Sequence, residues 1–136
     1  MNKKILFVCV ENSCRSQMAE GLARMVIAEK GMCGVEVYSA GSRPSGHVNS
    51  KAIVAMAELG YDLSVHDSKS LDEIPDEQFA VVITMGCGDE CPWVRGDIRE
   101  DWALPDPKHM SEAEFNQVRD EISTKVNDLL TVTCHI

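Results

Sequence analysis

The alternation of apolar runs predicts an α/β fold in which four parallel strands form a sheet covered by helices. Three observations carry this. Short strand-like runs alternate with longer segments of helical period, the pattern left by β-α-β crossovers. The first run, Ile5-Leu6-Phe7-Val8, is continuously apolar, as a buried strand should be. The 136 residues, 44% hydrophobic and 26% charged, suit one core and one domain, taken here as residues 1–136.

The first strand is read as Lys4 to Cys9. A helix follows from about Ser16 to Lys30, with Met18, Ala19, Leu22, Val26 and Ile27 forming one apolar stripe, and Gly31 and Gly34 stop it. Val35 to Ala40 is the second strand, and residues 41–46 read as a Gly/Ser/Pro loop. Asn49 caps the next helix, whose Ile53, Met56, Ala57 and Leu59 are expected to face the core before Gly60 ends it. A short helical turn near Leu71 to Ile74 leads to the third strand, Phe79 to Met85. Ile98 to Leu104 is a weaker strand interrupted by charges, placed at a sheet edge. The last helix runs from about Ser111 to Leu130, opened by a capping box at Ser111-Glu112-Ala113-Glu114 and carried by Phe115, Val118, Ile122 and Val126; Thr131 to Ile136 reads as a frayed tail.

Composition removes several classes of function. The net charge of −9 excludes a basic nucleic-acid surface. No run reaches the length of a membrane span and the N-terminus lacks a signal-peptide layout, so a cytoplasmic protein is expected. There, the six cysteines are not read as a disulfide framework, and at least some of them are read as chemical thiols. His47, His66, His109 and His135 are scattered and read as surface residues; no metal site is expected from them.

The most informative stretch is Cys9-Val10-Glu11-Asn12-Ser13-Cys14-Arg15-Ser16, where a strand gives way to a helix. A loop in that position aims backbone N–H groups and a helix dipole at one point, a cradle for a tetrahedral anion. Arg15 can add a planar two-pronged contact, and thiolates are favoured at helix N-termini beside cations, which suits Cys9 as a nucleophile. A cysteine ending a strand is in many proteins only a small buried apolar residue. The preceding strand and the following helix supply the context that a catalytic reading needs. Since ligands of doubly wound sheets bind at the carboxyl ends of strands, the loops after the first, third and fourth strands can meet there.

The loop after the third strand holds Met85-Gly86-Cys87-Gly88-Asp89-Glu90-Cys91-Pro92. Cys87 and Cys91 admit three readings: a redox pair, half of a zinc site whose second half is missing, or inert burial. The loop after the fourth strand carries Asp106-Pro107, which is a turn by default and a general acid if it reaches Cys9. Cys14 is a competitor thiol or a packing residue, and Cys33 and Cys134 are read as structural or incidental.

The anion loop resembles the phosphate loop of low-molecular-weight protein tyrosine phosphatases, and Asn12-Ser13-Cys14-Arg15-Ser16-Gln17-Met18-Ala19-Glu20 is similar to their arsenate reductase branch. The resemblance continues through Val37-Tyr38-Ser39-Ala40-Gly41, Asn49 to Leu59, Val81-Val82-Ile83-Thr84-Met85 and Trp102-Ala103-Leu104-Pro105-Asp106-Pro107. It implies a three-layer domain with strand order 2-1-3-4. It implies arsenate reduction and arsenic detoxification, with Cys9 as nucleophile, Arg15 as oxyanion clamp and Asp106 as acid. Cys87 would release arsenite by attacking the Cys9 adduct, and Cys91 would take over the disulfide. Thioredoxin is the implied reductant, with a low-molecular-weight thiol and a glutaredoxin-type or mycoredoxin-type protein as the other route. Loop support falls to Asn12, Ser13, Ser16, Glu20, Ser39 and Lys69. Some reductases of this branch hold potassium near the loop, but Lys69 stands at the fourth ligand position, so no potassium, no metal and no cofactor are expected, and a monomer is expected. The alternative is a low-molecular-weight protein tyrosine phosphatase. Lys108, where those phosphatases typically place an aromatic residue, argues against it, as do only two Tyr and two Trp in the chain. A non-catalytic oxyanion-binding or redox-sensing module is the third reading.

Overall fold

A computed structural model describes residues 3–32, 34–75, 78–86 and 94–133. Cys33, Cys87, Cys91, Cys134 and His135 lie outside the described residues. The elements are β1 (Lys3–Cys9), α1 (Arg15–Lys30), β2 (Val35–Gly41), α2 (Ser50–Ala57), two 3-10 turns (Leu63–Val65 and Leu71–Glu73), β3 (Phe79–Thr84), β4 (Gly96–Asp101) and α3 (Glu112–Thr133). The strands form one parallel sheet in the order β2-β1-β3-β4. This is the expected α/β architecture.

β1 is central, and alternation along it serves both faces. Ile5 and Phe7 join Val81, Ile83 and the apolar faces of α1, α2 and α3 in the main core. Leu6 and Val8 point the other way and pack with Ala40, Phe79 and Val82 beneath Leu71, Ile74 and Val94. Burying whole side chains of this size stabilises by about 1.5–3 kcal/mol each, enough to fix the register of the central strand.

Four local expectations need correction. β4 spans Gly96–Asp101 instead of Ile98 to Leu104, because Trp102 and Leu104 lie in the connection after the strand and are buried in the main core from there, not as strand residues. α1 has no single stripe: everything from Arg15 to Ala23 is buried, since its first turns are enclosed on all sides, while Ile27 is only partly buried. The core face of α2 is Ala52, Ala55 and Met56 with Ile53 beside them; Ala57 and Leu59 are exposed. α3 continues to Thr133, so residues 131–133 belong to the helix and not to a tail.

The caps follow the sequence. Gly31 closes α1 at φ 62°, a left-handed position suited to glycine, and its N–H reaches the carbonyl of Ile27. The Asn49 side chain accepts from Lys51 N–H at 2.8 Å. At α3, Glu114 N–H donates to Ser111 Oγ at 3.2 Å while Ser111 N–H donates to Glu114 Oε1 at 3.3 Å, the reciprocal pair of a capping box.

Candidate active site

The carboxyl edge of the sheet carries a cavity of about 730 Å³ lined by Cys9, Val10, Glu11, Ser13, Cys14, Arg15, Arg43, Gly86, Leu104, Pro105 and Asp106. Four separate connections converge there, those after β1, β3 and β4 and, through Arg43, the one after β2. Cys9 and Arg15, from one loop, thus share a pocket with Asp106, from a distant part of the chain. The chain turns sharply at Asn12, whose φ of 49° is a conformation that asparagine tolerates better than most residues.

Around the Cys9 sulfur the hydrogen bonds are directional. Asn12 N–H donates to Sγ at 3.2 Å, and Ser16 Oγ lies 2.8 Å away. Ser16 Oγ already accepts from Asn12 Nδ2 at 2.9 Å, so its own proton is free to point at the sulfur. Donors aimed at sulfur stabilise negative charge on it. The second thiol of the loop differs: burial pushes the Cys14 pKa up to about 11, against a weak contact from Ser13 Oγ, so Cys14 stays protonated at neutral pH. The two thiols of the loop are free and chemically unequal.

Arg15 is nearly buried, and its Nη1 donates to the carbonyls of Met85 at 2.5 Å and Leu104 at 2.9 Å. One nitrogen therefore ties the β3 and β4 connections together, which leaves Nη2 and Nε as the two-pronged face for an anion. Asp106 lies at the exposed rim, where its Oδ1 accepts from Lys108 N–H at 3.1 Å. A second carboxylate organises the same edge from below. Asp101 accepts from Thr84 Oγ1 at 2.7 Å, Gly86 N–H at 2.8 Å and Ala103 N–H at 3.1 Å, and the Thr84 hydroxyl in particular holds its pKa below the usual range.

Beneath the loop, Asn12 Oδ1 accepts from Gln17 Nε2 at 2.8 Å and from Lys69 N–H at 2.9 Å. Glu20 is buried: Oε1 accepts from Ser39 Oγ at 2.7 Å, Oε2 from Arg24 Nε at 2.9 Å, and the Lys69 ammonium stands 3.7 Å from Oε1. Asn12, Ser16, Glu20, Ser39 and Lys69 are thus gathered under the pocket.

His66 is not a surface residue. Its side chain is only 6% exposed, with Nδ1 3.0 Å from Gln17 Oε1 and Nε2 2.5 Å from the Tyr61 hydroxyl. Because an amide oxygen can only accept, Nδ1 carries the proton, and the Tyr61 O–H donates to Nε2 of a neutral ring. Burial lowers the His66 pKa from 6.5, despite Glu20 nearby. Sequence reading also assigns no role to Gln17, Arg43 or Asp101 and misses the contact between Glu11 and Lys108; Gln17, inside the motif that carries the resemblance, and Arg43, in an evident loop, carry local signals.

The sequence model of the family described as low molecular weight phosphotyrosine protein phosphatase matches residues 4–134. A relative from Staphylococcus saprophyticus, named arsenate reductase 2, is 44% identical over 131 residues, covering 93% of this chain and 95% of its own. A Synechocystis sp. protein named glutaredoxin arsenate reductase is 40% identical over 131 residues, with 94% and 96% covered. A solved arsenate reductase in the phosphate-binding state superimposes with a TM-score of 0.82 at 40% identity, covering 95% of this chain and 97% of that one. Matched over nearly its whole described length in sequence and in backbone, the chain belongs to the low-molecular-weight phosphotyrosine protein phosphatase family.

Proposed function

We propose that the protein reduces arsenate to arsenite by way of Cys9 and a thiol relay. The observation that carries the oxyanion chemistry is the pocket in which the Cys9 sulfur, supported by Asn12 N–H and Ser16, shares its walls with Arg15 and Asp106. The named arsenate reductases at 40–44% identity favour arsenate as the anion. The anion rests on the loop 10–16 with its oxygens on Arg15. Cys9 thiolate attacks arsenic, an As–S bond forms, and Asp106 protonates the oxygen that leaves as water. Cys87 thiolate attacks the Cys9 sulfur. An S–S bond forms, the As–S electron pair stays on arsenic, and arsenic(V) leaves as arsenite. Cys91 attacks Cys87, Cys9 is released, and an external dithiol reduces the Cys87–Cys91 bond with two electrons. Thioredoxin is the reductant we assign, with a low-molecular-weight thiol system as its competitor; the Synechocystis relative, named for glutaredoxin, keeps that second route in the test.

The residues beneath the loop disfavour a potassium site. Asn12 Oδ1 already receives two N–H donors, and Glu20 is flanked by Arg24 and the Lys69 ammonium, so the oxygens that would ligate a cation have protein partners. We assign the whole reaction to one domain acting as a monomer in the cytoplasm; no helix among the described residues is long and apolar enough to cross a membrane.

The test is arsenate-dependent NADPH consumption with thioredoxin and thioredoxin reductase, run beside glutathione with glutaredoxin. Cys87→Ser should stall before arsenite release. Cys91→Ser should give about one turnover and accumulate a Cys9–Cys87 disulfide, while weak phosphatase activity toward a small aryl phosphate survives both changes. A Cys91→Ser protein that cycles normally refutes this relay, and hydrolysis without arsenate-dependent oxidation favours the phosphatase.

A further inference from the structure

Two charged side chains, Glu11 in the lining of the pocket and Lys108 two residues beyond Asp106, take no part in the steps above. Glu11 is the only acidic residue from Cys9 to Ser16, so a carboxylate stands in the loop that must accept a multiply charged anion. Its backbone is held in place, since its carbonyl accepts from Ser45 N–H at 3.1 Å and from Ser68 Oγ at 3.0 Å. Relief has to come from a partner. Lys108 reaches across from the β4 connection and sets its Nζ 3.2 and 3.1 Å from the two Glu11 carboxylate oxygens.

Lys108 is also part of the turn that carries Asp106. Its N–H donates to Asp106 Oδ1, and Lys51 of α2 donates from Nζ to the carbonyls of Lys108 at 3.4 Å and Met110 at 3.0 Å. The turn is thereby fastened twice, to α2 through Lys51 and to the anion loop through Lys108. A cavity of about 730 Å³ is far roomier than one tetrahedral anion needs, so packing alone does not close it. Charge has to contribute, all the more in a chain of net charge −9.

The geometry points to Lys108 as a charge-compensating latch: its ammonium cancels the Glu11 carboxylate within the anion loop and holds the Asp106 turn across the pocket, so that a compact tetrahedral oxyanion is accepted. The contact with Glu11 in turn raises the Lys108 pKa above the ordinary lysine value, which keeps the ammonium charged throughout the neutral range. This inference rests on the oxyanion reading of the site and assigns Lys108 as a positioning residue within it.

The experiment is a double-mutant cycle on inorganic phosphate binding by the full chain, read by calorimetry, with arsenate kcat and KM measured in parallel for wild type, Lys108→Met, Glu11→Gln and the double variant. Lys108→Met should weaken phosphate binding and raise the arsenate KM by roughly threefold or more at low salt, with kcat changed less. The penalty should shrink toward about 0.5 M salt, where charges at the surface are screened within a few ångströms. Adding Glu11→Gln should recover most of the loss, because no uncompensated carboxylate then remains. Lys108→Gln repeats the test with a polar side chain, and thermal melting checks that each variant folds. The latch is overturned by a Lys108→Met protein that binds phosphate like wild type, or by a Lys108→Met change that costs as much affinity in the Glu11→Gln background as in the wild-type one; either result leaves the oxyanion reading standing. A wild-type protein that binds neither phosphate nor arsenate overturns both.

Discussion

Gly41→Ala tests whether the anion loop is seated on the end of β2. Gly41 pairs with Cys9 in the sheet register, and its N–H donates to the carbonyl of Lys69 at 2.9 Å. A methyl group added there would lie 2.5 Å from the Val10 carbonyl oxygen, 2.9 Å from that of Cys9 and 3.0 Å from Asn12 N, all of them backbone atoms of the loop. Ordinary contact begins near 3.4 Å, so the loop would have to lift by about 0.9 Å. Overpacking of this kind costs about 1–3 kcal/mol, which for a chain of this length lowers the melting temperature by roughly 3–12 °C. Displacing a nucleophile by about 1 Å is expected to lower kcat/KM by up to about 100-fold. Arsenate reduction, phosphate affinity and thermal melting should be measured on the same preparations. Gly31→Ala is the control: it strains a left-handed helix cap at φ +62° with nothing within 4 Å, far from the pocket, and should lose stability of about 1 kcal/mol without losing activity. Wild-type kcat/KM in Gly41→Ala, or an equal loss of activity in Gly31→Ala, would refute the reasoning.

Arg15→Lys should abolish turnover even if the protein folds, since one ammonium cannot hold the Met85 and Leu104 carbonyls and also grip two oxygens of an anion; substantial arsenate reduction by this variant removes the clamp. Cys9→Ser should abolish both reduction and any phosphatase activity, because a hydroxyl at neutral pH is a far poorer nucleophile than a thiolate, and retained turnover disproves the mechanism. At pH 7.5, iodoacetamide should label Cys9 well before Cys14, whose pKa of about 11 keeps it a thiol; equal rates by mass spectrometry would contradict this. His66 takes up a proton less readily when folded than its usual 6.5, so its contribution to stability is complete above that pH and is lost as the pH falls through it. Between about pH 7.5 and 5 the urea midpoint of wild type should therefore fall more steeply than that of His66→Gln, and parallel slopes would show that His66 does not titrate as described.

The loop from Cys9 to Ser16 is legible in sequence because its signals are local: the apolar run Ile5 to Val8 before it, a cysteine and an arginine at its two ends, and within it an asparagine, a residue suited to positive φ. The edge strand is misplaced by sequence because its own residues, Asp97, Arg99, Glu100 and Asp101, are exposed, while the apolar Trp102 and Leu104 that draw the assignment belong to the following connection and enter the main core from it. His66 escapes for another reason. Its environment is built by Tyr61 and by Gln17, 49 residues away, and no spacing rule encodes that contact. Glu11 with Lys108, 97 residues apart, belongs to the same class. Pairings that fold topology creates are invisible in the sequence, whereas pairings within one turn are not.

The guanidinium of Arg15 also changes when disorder is removed from the site. A free arginine side chain carries about 2 kcal/mol of rotamer entropy, which an anion would ordinarily have to overcome on arrival. Here the carbonyls of Met85 and Leu104 hold Nη1 as soon as β3 and β4 are in place, so that freedom is surrendered during folding. Binding then meets a fork already pointed at the pocket. A peptide spanning residues 9–16 would keep every side chain of the loop and lack this readiness, because the two oxygens that aim the fork belong to the connections that follow two other strands.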